Sequence, residues 1–254
     1  MSLRRRDACL CLPLVWPAMA RAVVDGAPLR VGWGDYPPFQ VKGAHGPEGL
    51  DIDLVSLIAR AADERLQWLR RPWARQLADL AHGELDIICS ATPAPERLAI
   101  GRFSHAYRQE RVALMALAGG APAVSRMAEL KGRAVRIGMI RGAMFPEAVR
   151  RELEAHDLQG ALVSMHANDL TLQALRHGRV DYVIEDPVTM KHRAAQEPGP
   201  PITIALELAT GPVHLLVGHK ALESRPGLVE RLNQALQRAR QSPDWAQALA
   251  RYKA

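Results

Sequence analysis

One phrase occurs twice in this chain, and it narrows the possible folds more than any other feature. Leu80-Ala81-His82-Gly83-Glu84-Leu85-Asp86-Ile87-Ile88 returns as Leu175-Arg176-His177-Gly178-Arg179-Val180-Asp181-Tyr182-Val183, 95 positions later. In each copy a helix ends on Leu and His, Gly takes the left-handed C-terminal position, and a short apolar run follows as a buried strand. The first strand runs into Cys89-Ser90-Ala91-Thr92 and the second into Glu185-Asp186. Open α/β sheets hold ligands beyond the carboxyl ends of their strands. The repeat therefore predicts two similar α/β lobes, each delivering polar side chains to a strand end, with a cleft between them.

The elements around each copy extend the pattern. Leu29 to Trp33 reads as a strand stopped by Asp35-Tyr36-Pro37-Pro38-Phe39. Leu54, Leu57, Ile58 and Ala61 form a helical stripe, Leu66 to Leu69 a second strand, and Trp73 to His82 a helix leading into the first phrase. A second run begins with a strand over Ala134 to Ile140 and a helix carrying Phe145, Val149 and Leu153. A strand over Ala161 to Met165 follows, then a helix from Asn168 to His177, capped by Asn168 or Asp169. Two tandem β-α-β-α-β units imply parallel sheets covered on both faces, an α/β fold. The end differs: a strand over Val213 to Val217, a helix carrying Leu228, Leu232, Ala235, Leu236 and Ala239, and a last helix with Trp245, Leu249 and Tyr252. This tail has no sheet of its own and must pack on one already built.

Residues 1–22 read as an export signal. Arg4-Arg5-Arg6 precedes a nearly unbroken apolar run from Ala8 to Ala20, and small-x-small cleavage patterns end at Ala20 and Ala22. The run is too short to span a membrane as a helix. A secreted, periplasmic location follows. Four Arg and one Asp lie in this segment, so the formal charge of +6 falls to +3 without it. The remaining Arg residues, such as Arg70-Arg71 and Arg150-Arg151, read as solvated helix faces, and no nucleic-acid motif accompanies them. Cys9 and Cys11 fall in the leader without a lipid-attachment pattern, leaving Cys89 as a small core residue with no disulfide partner. The nine His show no paired-ligand spacing, so neither metal nor cofactor is expected.

Four motifs in order carry a resemblance. Glu48-Gly49-Leu50-Asp51-Ile52-Asp53-Leu54, Gly83-Glu84-Leu85-Asp86-Ile87-Ile88, Thr92-Pro93-Ala94-Pro95-Glu96-Arg97 and Phe103-Ser104-His105-Ala106-Tyr107 are similar to those of family 3 extracellular solute-binding proteins, the polar amino acid binders of ABC importers. The resemblance implies a two-lobed clamp with two crossing strands. Lobe one would be residues 23–110 and 212–254, lobe two 111–211, with crossings near Glu110 to Ala113 and Gly211 to Leu215. It implies a monomer that binds a small amino acid or carboxylate and passes it to a membrane permease.

The resemblance also assigns ligand-binding residues. Arg97 stands where the family holds the ligand α-carboxylate, a role suited to a planar guanidinium that keeps its charge when desolvated. Thr92 and Ser90 stand where hydroxyls and backbone N–H groups hold the same carboxylate, and Asp186 matches the acid for the α-ammonium. Tyr36 and Trp73 occupy the places of aromatic platforms. The family's Gly-Ser/Thr-Thr turn of lobe two is here Gly142-Ala143-Met144, leaving only backbone N–H groups at a helix start. Trp33 replaces the acid that Lys and Arg binders carry, which disfavours basic amino acids, while Arg75 on the helix edge would face the cleft and favour an acidic or non-standard ligand.

The expected function is solute capture without catalysis. Two alternatives stand beside it. One is a periplasmic enzyme of the cyclohexadienyl dehydratase type, in which Glu185 or Asp186 would act as proton donor; strand alternation lets only one of the pair reach the cleft. The other is a ligand-sensing partner of a membrane receptor.

Overall fold

The structure, a computed structural model, describes residues 26–167 and 169–252; the export signal expected over residues 1–22 and the cap expected from Asn168 lie outside them. The chain runs β1 (Leu29–Trp33), β2 (Val41–Lys42), β3 (Pro47–Glu48), α1 (Leu50–Ala61), β4 (Leu66–Arg70), α2 (Trp73–His82), β5 (Ile87–Ala91) and β6 (Gly101–Leu117). It continues through β7 (Ile137–Ile140), α3 (Glu147–Ala155), β8 (Leu162–Met165), α4 (Asp169–Arg176), β9 (Tyr182–Glu185), α5 (Pro187–Gln196), β10 (Ile202–Gly218), α6 (His219–Ser224), α7 (Leu228–Arg240) and α8 (Pro243–Tyr252).

Eight strands form one sheet in the order β4-β1-β5-β10-β6-β9-β7-β8. β1 pairs in parallel with β4 and β5, and β7 in the same way with β8 and β9. Each lobe is thus a three-stranded parallel unit with its first strand central. The antiparallel pair β6 and β10 belongs to both. β5 lies along the end of β10 at His214 to Val217, whereas β9 lies along the end of β6 at Ala113 to Met115. Between these stretches Gly211 faces Glu110 and Thr210 faces Arg111. These are the two crossing strands that the resemblance implied.

The repeated phrase folds twice in the same way. Gly83 has φ 75° and Gly178 φ 62°, and their N–H groups donate to Leu80 O (3.1 Å) and Leu175 O (3.0 Å). One residue on, Glu84 N and Arg179 N donate to Asp79 O and Ala174 O, both at 2.8 Å. The bond back across the turn satisfies carbonyls that the helix end leaves open. Asp86 and Asp181 then clamp the first strand of their own lobe. The N–H of Arg30 donates to Asp86 Oδ2 and that of Arg136 to Asp181 Oδ2, each at 2.7 Å, and each guanidinium forks onto the same carboxylate. Helix end, turn, strand and strand pairing are one repeated device.

The tail helices pack on the β4-β1-β5 unit. Leu54 and Ile58 of α1, Leu29 and Val31 of β1, and Ile87 of β5 share a core with Leu232 and Leu236 of α7 and Trp245 of α8. Acids at Asp51 and Asp53 in the first turn of α1 and Arg60 in its last complement the helix dipole. In lobe two, Tyr182 and Ile184 of β9 pack with Val149 and Leu153 of α3, while Val183 packs on the other face with Leu172 and Met190. Cys89 is buried in the lobe-one core and is a free thiol.

Several expectations differ from the structure. The strand expected from Ala134 starts at Ile137, and Phe145 precedes α3 rather than lying in it. β10 begins eleven residues before the expected Val213, because its first half crosses into lobe two as a partner for β6. Helix α5 was not anticipated; Asp186 caps it and Pro187 fixes its first turn.

Candidate functional site

The carboxyl ends of β1, β5, β7 and β9 converge on a cavity of about 410 Å³ between the lobes. Of the eight expected ligand residues, Tyr36, Trp73, Ser90, Thr92, Arg97, Ala143 and Asp186 line it. Gly142 stands behind the wall and contributes its carbonyl.

Arg97 lies in a short turn, Pro95–Ala99, and is only 4% exposed. Its Nη1 donates to Thr92 O at 2.7 Å and its Nη2 to Gly142 O at 3.1 Å, while its buried Nε has no hydrogen-bond partner. The guanidinium carbon sits 5.0 Å from the centroid of the Trp73 ring, within cation–π range. Burial lowers its pKa to about 10, so it remains charged at neutral pH. Trp73 Nε1 also donates to Gly142 O, at 2.9 Å. The Gly142 carbonyl therefore accepts from two side chains of the β4-β1-β5 side across the cavity. Gly142 has φ 75°, and a Cβ there would lie 3.1 Å from Leu77 Cδ1. Only glycine brings the turn this close without strain.

This corrects the reading of the Gly142-Ala143-Met144 turn. The N–H of Ala143 donates to Ile140 O at 3.0 Å, and α3 starts only at Glu147, so the turn offers a carbonyl and no helix start. Ser90 is corrected too. Its hydroxyl donates to Asp51, and its N–H donates to the Tyr107 hydroxyl at 3.0 Å. Both groups expected to meet a carboxylate serve a buried network beneath the cavity floor. There Arg108 Nε donates to Asp51 Oδ1 at 2.6 Å, and Tyr107 (2.9 Å) and Gln40 (3.0 Å) donate to the same carboxylate. Ser90 itself has φ 53°, a left-handed backbone that this network holds in place.

The opposite pole is acidic. Asp186 is 4% exposed; its Oδ1 accepts from Val188 N (2.7 Å) and Thr189 N (3.2 Å), and its Oδ2 from Arg111 N (3.3 Å). It lines the cavity as a helix cap. Burial raises its pKa despite these donors. Glu185 lines the cavity beside it, contrary to the expectation that only one of the pair would reach it. β9 ends at Glu185, so the strict alternation of a strand no longer separates the two. The Oε2 of Glu185 is buried without a hydrogen-bond partner, and burial pushes its pKa to about 8, with Arg193 opposing and Asp186 and Glu110 adding to the rise. Glu110, from the crossing of β6, accepts the Tyr36 hydroxyl, and burial raises its pKa as well.

Two further expectations are not met. Trp33 is buried and is not among the residues lining the cavity, and the exposed Arg75 pairs with the buried Asp79 at 2.6 Å. Arg70 and Arg71, read as solvated, are about half exposed and also line the cavity, where they pair with Asp35 and Asp79. Glu110 escaped sequence reasoning because nothing local marks one acid in a long mixed strand. Arg193 escaped because α5 did.

The sequence model of bacterial extracellular solute-binding proteins, family 3, matches residues 29–254. A probable histidine-binding protein of Neisseria gonorrhoeae is 24% identical over 241 residues, covering 92% of this chain and 86% of that protein. Among solved structures, an ancestral arginine-binding protein bound to glutamine has a TM-score of 0.73 at 22% identity, covering 88% of this chain and 96% of the other. A histidine kinase sensor domain similar to periplasmic binding proteins has a TM-score of 0.75 at 18% identity, covering 89% and 95%. These structures share the fold of two α/β lobes on crossing strands. With nearly the whole described chain matched, the protein belongs to the bacterial extracellular solute-binding proteins, family 3.

Proposed function

We propose that this protein captures a small zwitterionic solute, an α-amino acid or a related carboxylate, in the periplasm and presents it to the permease of an ABC importer. One observation carries the reading: a single cavity holds a buried guanidinium with an unspent Nε on lobe one and a group of carboxylates around β9 and the crossing of β6. Arg97 is assigned the ligand carboxylate, with Thr92 beside it. Asp186 is assigned the α-ammonium, through the side of its carboxylate not occupied by helix capping. Tyr36 and Trp73 flank the ligand. The lobes are taken as residues 23–110 with 212–254, and 111–211, turning on the crossing strands, and the protein works as a monomer. A ligand touching both lobes favours the closed arrangement over the open one.

A thermal-shift panel of amino acids, dicarboxylates and short peptides tests this. A ligand at 100 times its dissociation constant stabilises the bound form by about 2.7 kcal/mol. Absence of any amino acid or carboxylate ligand at millimolar concentration would refute it. A second reading has one observation in its favour. Glu185, with a pKa of about 8, is a protonated carboxyl beside the cavity, as a dehydratase would use. Incubation with prephenate or arogenate decides between them, since turnover supports the enzyme and saturable binding without product supports the carrier.

A further inference from the structure

We infer that Glu185 is the specificity-determining residue of the cleft and selects an amino acid carrying a second, side-chain cation; this rests on the amino acid reading above. Three observations lead there. The first is which acid has capacity left. Asp186 accepts three backbone N–H groups and is already assigned the α-ammonium, and Glu110 accepts the Tyr36 hydroxyl. Glu185 alone of the three has a buried oxygen without a partner.

The second is charge balance. Around the cavity, Arg70 pairs with Asp35, Arg71 with Asp79 (which also accepts the solvent-exposed Arg75) and Arg111 with Glu207, and beneath it Arg108 pairs with Asp51. Three acids then remain, Glu110, Glu185 and Asp186, against two guanidinium groups, Arg97 and Arg193. With Glu185 ionised one negative charge is left over; in the unliganded cleft the Glu185 proton neutralises it, and a cationic ligand takes that proton's place. A zwitterion does not change that balance, whereas a ligand of net charge +1 closes it. Desolvated charge without a partner is costly, so the closed cleft favours the cationic ligand.

The third concerns Arg193, the cation that lowers the Glu185 pKa. Arg193 is 7% exposed, and its Nη2 donates across the cleft to Asp35 O at 2.8 Å; its Nε and Nη1 have no hydrogen-bond partner. It lowers the Glu185 pKa without hydrogen bonding to it. Lobe closure, rather than Glu185, holds that fork. The unpartnered Nε of Arg97 meanwhile offers a carboxylate contact on the other wall of the same cavity. A ligand with a carboxylate at one end and a cation at the other spans the two.

The groups facing Glu185 are Arg193 from α5, Asp186 beside it and Glu110 from β6. In the unliganded protein near neutral pH, Glu185 is mostly protonated, and a ligand cation must displace that proton. Affinity for a cationic ligand therefore rises about tenfold per pH unit up to about pH 8 and then levels, while a zwitterion shows no such slope.

The probes are two pairs alike in shape and different in side-chain charge: L-arginine with L-citrulline, and L-ornithine with L-glutamine. Calorimetry on the mature protein and on Glu185→Gln, which copies the protonated carboxyl, gives the four affinities at pH 6, 7 and 8. The expected result is a preference of at least tenfold for the cationic member of a pair at pH 8. In Glu185→Gln it falls below threefold, with neutral-ligand affinity and melting temperature at pH 7 retained. A wild-type ratio near one overturns the inference and leaves the amino acid reading standing. Equal losses for both members overturn it as well, because Glu185 would then hold the α-ammonium. Binding by none of the four overturns the inference, and the amino acid reading falls with it only if the wider thermal-shift panel also finds no ligand.

Discussion

Replacing Asp51 with Asn removes one charge from a fully buried ion pair and leaves the other in place. Asp51 is 0% exposed and Arg108 9%, and they meet through Nε at 2.6 Å and Nη2 at 3.3 Å. Uncoupling a buried pair from one side costs about 3–5 kcal/mol, because the remaining charge is desolvated without compensation. Glu110 lies 4.0 Å from Arg108 Nη2 and offsets part of this, which puts the expected loss near the lower end, about 3 kcal/mol. For a chain of this size that lowers Tm by about 6–12 °C. The assay is urea unfolding followed by tryptophan fluorescence, with calorimetry for Tm. Adding Arg108→Met removes the stranded guanidinium, so the double variant should recover at least half of the loss. Burial pushes the Asp51 carboxyl up, but Arg108 and the hydrogen bonds from Gln40 and Ser90 outweigh it and hold its pKa below the ordinary 3.8. A depressed pKa contributes stability above the unfolded value that is lost as pH falls through the folded one. The gap between wild type and Asp51→Asn should therefore narrow below about pH 4. A loss under 1 kcal/mol, or a double variant whose losses simply add, refutes the assignment of a buried pair that matters.

Arg97→Ala should abolish detectable carboxylate binding, and Arg97→Lys should weaken it by about 1.5–3 kcal/mol, since an ammonium cannot reach Thr92 O, Gly142 O and a ligand together; calorimetry with the ligand found in the thermal screen checks both. Gly142→Ala imposes a left-handed alanine against Leu77, at about 1–2 kcal/mol, on the closed arrangement. Affinity should fall several-fold with little change in unliganded Tm, and the opposite pattern would show that the turn is not part of closure. Asp186→Asn keeps a capping side chain and should leave Tm within about 1 °C, whereas Asp186→Ala loses the cap and about 0.5–2 kcal/mol. If Asp186 holds the ammonium, both variants favour a deaminated analogue over the amino acid, relative to wild type; equal losses for the two ligands sink that role.

The repeated phrase was readable because everything that makes it fold lies within one helix turn and one strand. Gly83 and Gly178 need a backbone that only glycine adopts cheaply, and the strands after them are continuous apolar runs buried on both faces. Local periodicity placed β1, α1, α2 and the tail helices for the same reason. The first half of β10 gave no such signal. Its burial follows no regular period and its register shifts twice, and it is a strand because β6 runs beside it. The site divided along the same line. Arg97 and Asp186 stood in motifs, but what they touch is set by residues 45 and 75 positions away, the Gly142 carbonyl and the Arg111 N–H. The fates of Ser90 and Glu185 depended wholly on such distant partners. Ser90 lost its hydroxyl to Asp51, 39 residues earlier, and Glu185 faces the cavity because β9 stops where α5 begins. Short-range sterics and hydrophobic period belong to the chain itself, whereas the pairing of buried charges exists only once distant segments have packed together.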